Sequence, residues 1–319
     1  MKNMKRIAAF SVAAVLAVSM MAGCGDDKKD KAEGSEAAGA GEETFLIGGI
    51  GPVTGAAASY GTSVKQGAEI AIKEINDAGG VKVGDTTYKF ALEFADDEAS
   101  EDKAVQAYNT VMDKGANAIM GCVTSGACIA IVDQTYQDGI LQVTPSGSAE
   151  GCIANDNAFR ICFSDPEQGK AMADYAIDTM GLKKIAVIYN AADEYSTGLQ
   201  KAFEEEVKAK GGEIVASEAF NTNDVEFNTQ LTTIKGTDAE AIYVPAYYQD
   251  ATYITKQAKD MGMTLQFLGS DGWDGVLDTV SDASTVEGCV FSSPFCATVD
   301  DADVKKFVDA YNEAYKATS

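Results

Sequence analysis

The 319-residue chain contains no histidine. That removes the commonest general base, the usual catalytic triad and histidine-ligated metal sites. Its seven cysteines include no Cys-x-x-Cys, so neither a zinc ribbon nor a thioredoxin-like redox pair is supported. Positive charge is scarce: 25 Lys and Arg stand against 49 Asp and Glu, a formal net charge of −24. Such a surface repels phosphates, so no nucleic-acid partner is expected. After Met21 there is no further long apolar run, so nothing beyond the N-terminus is expected to cross a membrane. A nucleotide loop is equally poorly supported. Gly49-Ile50-Gly51-Pro52-Val53-Thr54-Gly55 follows a strand-like run, but its spacing is G-x-G-x-x-x-G with a proline in the turn. No cofactor, no metal and no catalytic residue are expected.

What is present begins with a processing signal. Lys2, Lys5 and Arg6 precede the small, apolar run Ile7–Met21, which closes on Met21-Ala22-Gly23-Cys24. A basic start, a short apolar stretch and small residues before a cut site make a secretory signal rather than a membrane span. The cysteine directly after Ala22-Gly23 resembles a bacterial lipoprotein box, although Met21 stands where leucine is commoner. The resemblance implies cleavage before Cys24 and lipid on its sulfur, holding the chain at the outer face of the cytoplasmic membrane. The alternative is an ordinary secretory signal with a chance cysteine. Gly25–Glu43 has no aromatic and no branched aliphatic residue, so it reads as a flexible acidic tether. The expected organisation is a signal peptide at 1–23, a tether at 24–43 and a folded part from Thr44. Removing residues 1–23 leaves 296, more than one ordinary core holds, which calls for two domains.

The body alternates strand-like and helix-like segments. Thr44–Ile50 reads as a buried strand, and Tyr60–Ala78 carries Val64, Ala68, Ala71, Ile72 and Ile75 at helical spacing. Tyr88–Ala95, Ala118–Gly121 and Leu141–Thr144 are expected strands, separated by helices over Glu101–Lys114 and Ala127–Gln137. Phe159–Phe163 leads out of this half. The pattern restarts with a helix over Gln168–Met180, a strand over Lys184–Tyr189 and a helix over Ser196–Lys210. Further alternation runs to a strand over Val286–Pro294 and a last helix over Asp303–Ala317. This α/β order calls for parallel sheets with right-handed crossovers, arranged as two doubly wound lobes joined near residue 163. Ligands in such sheets sit at the carboxyl ends of strands, and two facing lobes create a cleft.

Three segments at expected strand ends carry candidate chemistry. Gly121-Cys122-Val123-Thr124-Ser125-Gly126-Ala127-Cys128 and Thr144-Pro145-Ser146-Gly147-Ser148-Ala149 offer small residues and hydroxyls, which with free helix N–H groups suit an anion such as a carboxylate. Alternatively their Ser and Thr merely cap helices. Gly269-Ser270-Asp271-Gly272-Trp273-Asp274-Gly275 carries a carboxylate suited to an ammonium ion and the only tryptophan, or else it is a simple Asp–Gly turn.

In order and spacing, these pieces resemble the branched-chain amino acid binding proteins of ABC importers, which have the type I periplasmic-binding fold. The resemblance runs from Thr44 to Ser319. In the first half it rests on Gly51-Pro52-Val53-Thr54-Gly55 with Tyr60-Gly61, Gly67-Ala68, Ile75-Asn76-x-x-Gly79-Gly80, Thr124-Ser125 and Thr144-Pro145-Ser146 with Ser148. It continues through Phe159-Arg160, Asp165-x-x-Gln168-Gly169, Tyr195-x-x-Gly198, Tyr247-Tyr248 and Gly269-Ser270-Asp271-Gly272. It implies that Ser125, Ser148 and the backbone at Ser146 hold a ligand carboxylate. The Ser146 carbonyl, the Ser148 hydroxyl and Asp271 would receive its ammonium. Tyr60, Tyr195, Tyr247 and Trp273 would wall the side-chain pocket, with ordinary packing the alternative for each tyrosine. Many relatives carry glutamate where Asp271 stands, one methylene longer. The family pattern also continues past Ser319, so the resemblance implies an incomplete sequence that leaves part of the first-lobe sheet uncovered. The implied lobes are 44–163 with 295–319, and 164–294.

The remaining cysteines, Cys122, Cys128, Cys152, Cys162, Cys289 and Cys296, permit three disulfides in an exported chain, with Cys289–Cys296 the nearest local pair. Free buried thiols are the alternative. The sequence thus leads to a lipid-anchored, extracytoplasmic substrate-binding protein that closes on a small neutral, branched-chain amino acid such as leucine and delivers it to ABC permease subunits. Rival readings keep the fold for an aliphatic amide, urea, a short peptide or an aromatic acid, or make it a ligand sensor.

Overall fold

The computed structural model describes residues 41–315. The expected signal peptide, Cys24, nearly all of the tether and the end of the last helix lie outside the described residues.

The first sheet has six strands in the order β2-β3-β1-β4-β5-β6. They are β1 (Gly41–Gly51), β2 (Val81–Val83), β3 (Thr86–Asp96), β4 (Ala118–Met120), β5 (Leu141–Thr144) and β6 (Ala158–Arg160). All neighbours run parallel except β2 and β3, which form an antiparallel hairpin. β1 begins three residues ahead of the expected strand and pairs with β3 from Gly41↔Thr86 to Gly51↔Asp96. Helices α1 (Ala58–Asp77), α2 (Glu101–Asp113) and α3 (Ser125–Asp138) make the crossovers. One face packs tightly, with Ile50, Tyr108, Val111, Ile119 and Ile131 fully or almost fully buried. Each such side chain contributes about 1.5–3 kcal/mol when buried. The face under α1 is looser: α1 buries only Gly61 and Ile70, and every residue of β3 is half-exposed.

The second sheet has five parallel strands in the order β11-β10-β9-β7-β8. They are β7 (Lys184–Asn190), β8 (Glu213–Phe220), β9 (Ala241–Val244), β10 (Gln266–Gly269) and β11 (Val290–Phe291). Around it lie α4 (Asp165–Asp174), α5 (Glu194–Ala209), α6 (Asn228–Lys235), α7 (Tyr248–Asp260) and the short α8 (Val276–Thr279). Both faces are buried: Ile188, Phe220, Phe227 and Trp273 on one, Val187, Phe203, Tyr243 and Leu268 on the other. The sequence pattern therefore reads as continuous apolar runs rather than alternation, as two-sided burial demands.

Two segments connect the sheets. One follows β6 and enters α4, whose start is fixed by a capping box between Ser164 and Glu167 with a proline in the first turn. The other follows β11 and leads to α9 (Ala302–Tyr315), which packs on α1 through Tyr311 and Tyr315 to Gln66 and through Lys306 to Glu74. The last expected strand is much shorter than Val286–Pro294, because Ala283–Thr285 turns as a 3-10 segment and Gly288 adopts φ +76°, leaving Val290 and Phe291 alone to pair.

The six described cysteines, Cys122 to Cys296, are free thiols, so of the two alternatives the structure has the free thiols and Cys289 and Cys296 form no bridge. Among the described residues no helix is long and apolar enough to cross a membrane, and no group of three or more His, Cys, Asp or Glu could hold a metal ion.

Candidate ligand-binding site

In each sheet the strand order reverses beside the strand that opens it, β1 and β7. Such switch points open a crevice at the carboxyl ends of the strands. The loops after β4, β5, β9 and β10 meet there and enclose a cavity of about 330 Å³. From the first sheet come Tyr60, Ser59, Ser63 and Val64 on α1, Val123–Ser125 after β4 and Ser146 after β5. From the second come Tyr195 on α5, Tyr247 before α7, and Asp271, Asp274 and Asp278 after β10. Tyr60 reaches the cavity because α1 starts almost on top of Pro52: a Cβ at Gly61 would lie 1.9 Å from the Pro52 carbonyl oxygen, so only glycine permits the approach.

One end of the cavity suits an anion. Ser125 opens α3, and the N-cap residue, Thr124, makes no side-chain capping bond and leaves its buried hydroxyl unpartnered. The helix start thus keeps its positive dipole end uncapped by the side chain that usually fills it. Ser125 Oγ accepts the Ser148 and Ala149 N–H groups, both at 3.2 Å. Ser146 Oγ donates to the Val123 carbonyl at 2.7 Å, and Thr144 Oγ1 donates to the Cys122 carbonyl at 2.7 Å. These bonds lock the two loops together.

The other end suits a cation. Asp271 Oδ1 accepts the Tyr195 hydroxyl at 2.6 Å and the Gln168 amide at 3.0 Å. Burial pushes the Asp271 carboxyl up, and these two hydrogen bonds oppose the rise. Tyr195 stacks on Tyr247, ring centroids 5.0 Å apart and planes within 10°. Burial raises the hydroxyls of Tyr60, Tyr195 and Tyr247 well above the usual phenol range, so all three stay neutral donors. Tyr60 joins the two sides: its hydroxyl donates to the Gly272 carbonyl and accepts the Tyr248 N–H at 3.4 Å. Among the described residues no lysine or arginine lines the cavity, whereas three carboxylates do.

The structure therefore brings Tyr60, Ser125, Ser146, Tyr195, Tyr247 and Asp271 together on one cavity. Ser148 sits behind the wall, fully buried, with its carbonyl held by Arg160 at 2.8 Å and its hydroxyl unpartnered. Trp273 does not wall the cavity. It is fully buried in the core, donates from Nε1 to the Val244 carbonyl at 2.8 Å and lies against Gly269, where a Cβ would come within 2.5 Å of its ring. The 3-10 turn Asp271–Trp273 explains the difference, since it sends neighbouring side chains in different directions. Sequence reasoning missed Gln168, Ser59, Ser63, Asp274 and Asp278. Gln168 stood in the quoted Asp165-x-x-Gln168-Gly169 run, but its partner lies 103 residues away.

Two facing α/β sheets with a polar cavity at their strand ends define a two-lobed solute-binding architecture. Residues 44–319 match the Periplasmic binding protein family, and the chain belongs to it. Leu/Ile/Val-binding protein homolog 3 of Brucella melitensis biotype 1 is 33% identical over 256 residues, covering 80% of this chain and 68% of that protein. The branched-chain amino acid transporter substrate binding protein LivJ from Streptococcus pneumoniae, solved in complex with isoleucine, superposes with a TM-score of 0.78 at 32% identity, covering 86% of this chain and 78% of LivJ. An ABC transporter solute binding protein from R. palustris, solved in complex with benzoate, shares the fold with a TM-score of 0.76 at 23% identity, over 86% of this chain and 75% of that one.

Proposed function

We propose that this protein is the extracytoplasmic solute-binding component of an ABC importer, taking a small neutral amino acid with a branched apolar side chain. The observation that carries this reading is the polarity of the cavity. The start of α3 with the Ser125 hydroxyl, and Ser146, line the same cavity as a positioned carboxylate at Asp271, with aromatic walls at Tyr60 and Tyr247. That arrangement is complementary to a zwitterion. A bare aromatic acid fits it less well, because three carboxylates line the cavity and, among the described residues, no cation offsets them. The similarity to LivJ and to the Brucella Leu/Ile/Val-binding homolog supports the same ligand class. Roughly nine heavy atoms in leucine, at about −1 to −1.5 kcal/mol each for the best small ligands, put micromolar or tighter binding within reach.

The mechanism is hinge closure. Ser125 and Ser146 take the ligand carboxylate on the first lobe, 44–163 with 295–319. The second lobe, 164–294, then brings Asp271, Tyr195 and Tyr247 over the ammonium and side chain. The role is binding and delivery to permease subunits, not catalysis. Cys24 carries the lipid that tethers the chain outside the membrane through residues 24–43.

Titration calorimetry tests the ligand class with leucine, isoleucine, valine, an aliphatic amide and 4-methylpentanoate, which is leucine without its ammonium. Heat with the three amino acids at one site per chain is expected. Asp271→Asn should weaken leucine by about 2–5 kcal/mol while 4-methylpentanoate holds or tightens, since one of the carboxylates that repel a bare anion is gone. Binding of the amide or the bare acid in preference to leucine, or unchanged leucine affinity in the variant, would remove the ammonium from the site.

A further inference from the structure

The Asp271 carboxylate is not held by its own loop alone. Gln168 is 2% exposed and lies in the first turns of α4, just past the capping box that fixes the segment entering the second sheet. Its side-chain amide makes three hydrogen bonds. Nε2 donates to Asp271 Oδ1 at 3.0 Å, and Oε1 accepts the Asp271 N–H at 2.8 Å and the Ser292 hydroxyl at 2.7 Å. The orientation of the amide follows from chemistry. A backbone N–H only donates, so Oε1 must face it and Nε2 must face the carboxylate. Ser292 directly follows β11, at the start of the second segment connecting the sheets. One buried amide at the start of α4 therefore ties Asp271, 103 residues away, to Ser292 of the second connecting segment, 124 residues away.

We propose that Gln168 is the positioning residue for ammonium recognition. It holds Asp271 Oδ1 in the wall so that Oδ2 faces the ligand, and it registers that carboxylate to the start of α4 and, through Ser292, to the second segment about which the lobes close. This rests on the amino-acid reading given above. Tyr195 also bonds Oδ1, but it belongs to α5 and its other hydroxyl bonds go to Ser270 and Gly272, in neither connecting segment. Gln168 alone combines the two contacts among the described residues.

The side-chain chemistry dictates which substitutions discriminate. Gln168→Glu keeps the shape but places a second carboxylate against Asp271, where like charges repel. Gln168→Leu keeps similar bulk and removes all three bonds. Ser292→Ala removes only the link to the second connecting segment. Each variant is titrated with leucine and with 4-methylpentanoate, and the Asp271 carboxyl is titrated by carbon-13 NMR in the ligand-free protein. Gln168→Leu and Gln168→Glu should each weaken leucine by about tenfold or more and 4-methylpentanoate by less than about twofold. Both should move the Asp271 titration to higher pH. Ser292→Ala should weaken leucine by only a few-fold and leave the Asp271 titration nearly in place.

Equal losses of both ligands would mean that Gln168 merely supports the fold, and would overturn the proposal. So would an Asp271 titration unmoved by Gln168→Leu, a result that needs no ligand to read. A wild-type protein that ignores leucine, with the Asp271 titration still displaced by Gln168→Leu, would sink the amino-acid reading and leave the positioning of Asp271 standing.

Discussion

Asp165 is a buried carboxyl whose ionisation the fold opposes. It is 1% exposed, its backbone N–H is anchored on the Ser148 carbonyl at 3.0 Å, and neither carboxylate oxygen has a hydrogen-bond partner. Burial pushes its carboxyl up to about 7. The Ser148 hydroxyl nearby pulls the other way but is not in bonding geometry, and the charges of Asp271 and Asp193 add to the rise. An unfolded aspartate titrates near 3.9. Between those two values the folded protein holds a proton that the unfolded chain has released, so stability falls as pH rises through the window. The full cost above the folded value is about 4 kcal/mol, of which about 2–3 kcal/mol is incurred between pH 5 and pH 8. Asp165→Asn removes the charge at nearly constant volume. Urea unfolding at several pH values, followed by the fluorescence of the single buried Trp273, measures the effect. The variant should gain on the wild type by about 2–3 kcal/mol on going from pH 5 to pH 8. Parallel pH profiles for the two proteins would refute the argument, since the carboxylate would then be ionised in the fold at little cost.

Two further substitutions separate packing from recognition. Trp273→Phe removes the bond to the Val244 carbonyl and part of the core, so it should cost about 1–3 kcal/mol of stability by circular dichroism melts with leucine affinity little changed. A large affinity loss without destabilisation would return the indole to the cavity wall. Tyr60→Phe keeps the ring contacts to Tyr247 and Tyr248 but deletes the bond to Gly272 that joins the two sides of the cavity. Release of leucine in stopped-flow should accelerate several-fold, for about 1 kcal/mol, with association nearly unchanged. An unaltered release rate would show that the hydroxyl does not hold the closed form.

Much of the fold was legible because two-sided burial writes itself as apolar runs. Lys184–Asn190 and Ala241–Val244 are nearly all buried, and helices with one apolar face separate them. What was not legible has local physical causes. β2 is a three-residue edge hairpin whose pairing is set by the turn at Gly84, not by hydrophobic periodicity. The start of α4 was placed three residues late, although Ser164, Pro166 and Glu167 spell a capping box with a proline in the first turn. Residues after Tyr175 loosen into a π-helical turn that no apolar spacing announces.

The site divided along the same line between local and distant causes. The sheet puts the loops after its strands on one rim, so the segments holding Ser125 and Ser146 could be placed from order, while the individual residues came from the resemblance. Trp273 could not, because two residues of a 3-10 turn separate a cavity side chain from a core one. Gln168 could not either, because its role exists only when segments 103 and 124 residues apart close on one amide. The same distinction governs the chemistry of recognition. Dipoles of a helix start and hydroxyls bind a carboxylate without lending the cavity a net positive charge, so the charge balance rests on Asp271 and its acidic neighbours. A cavity of that polarity penalises a bare anion and leaves a zwitterion both ends satisfied. On the proposed amino-acid reading, the discriminating feature is thus the carboxylate fixed by Gln168 and Tyr195, while the anion cradle is common to any ligand that carries a carboxylate.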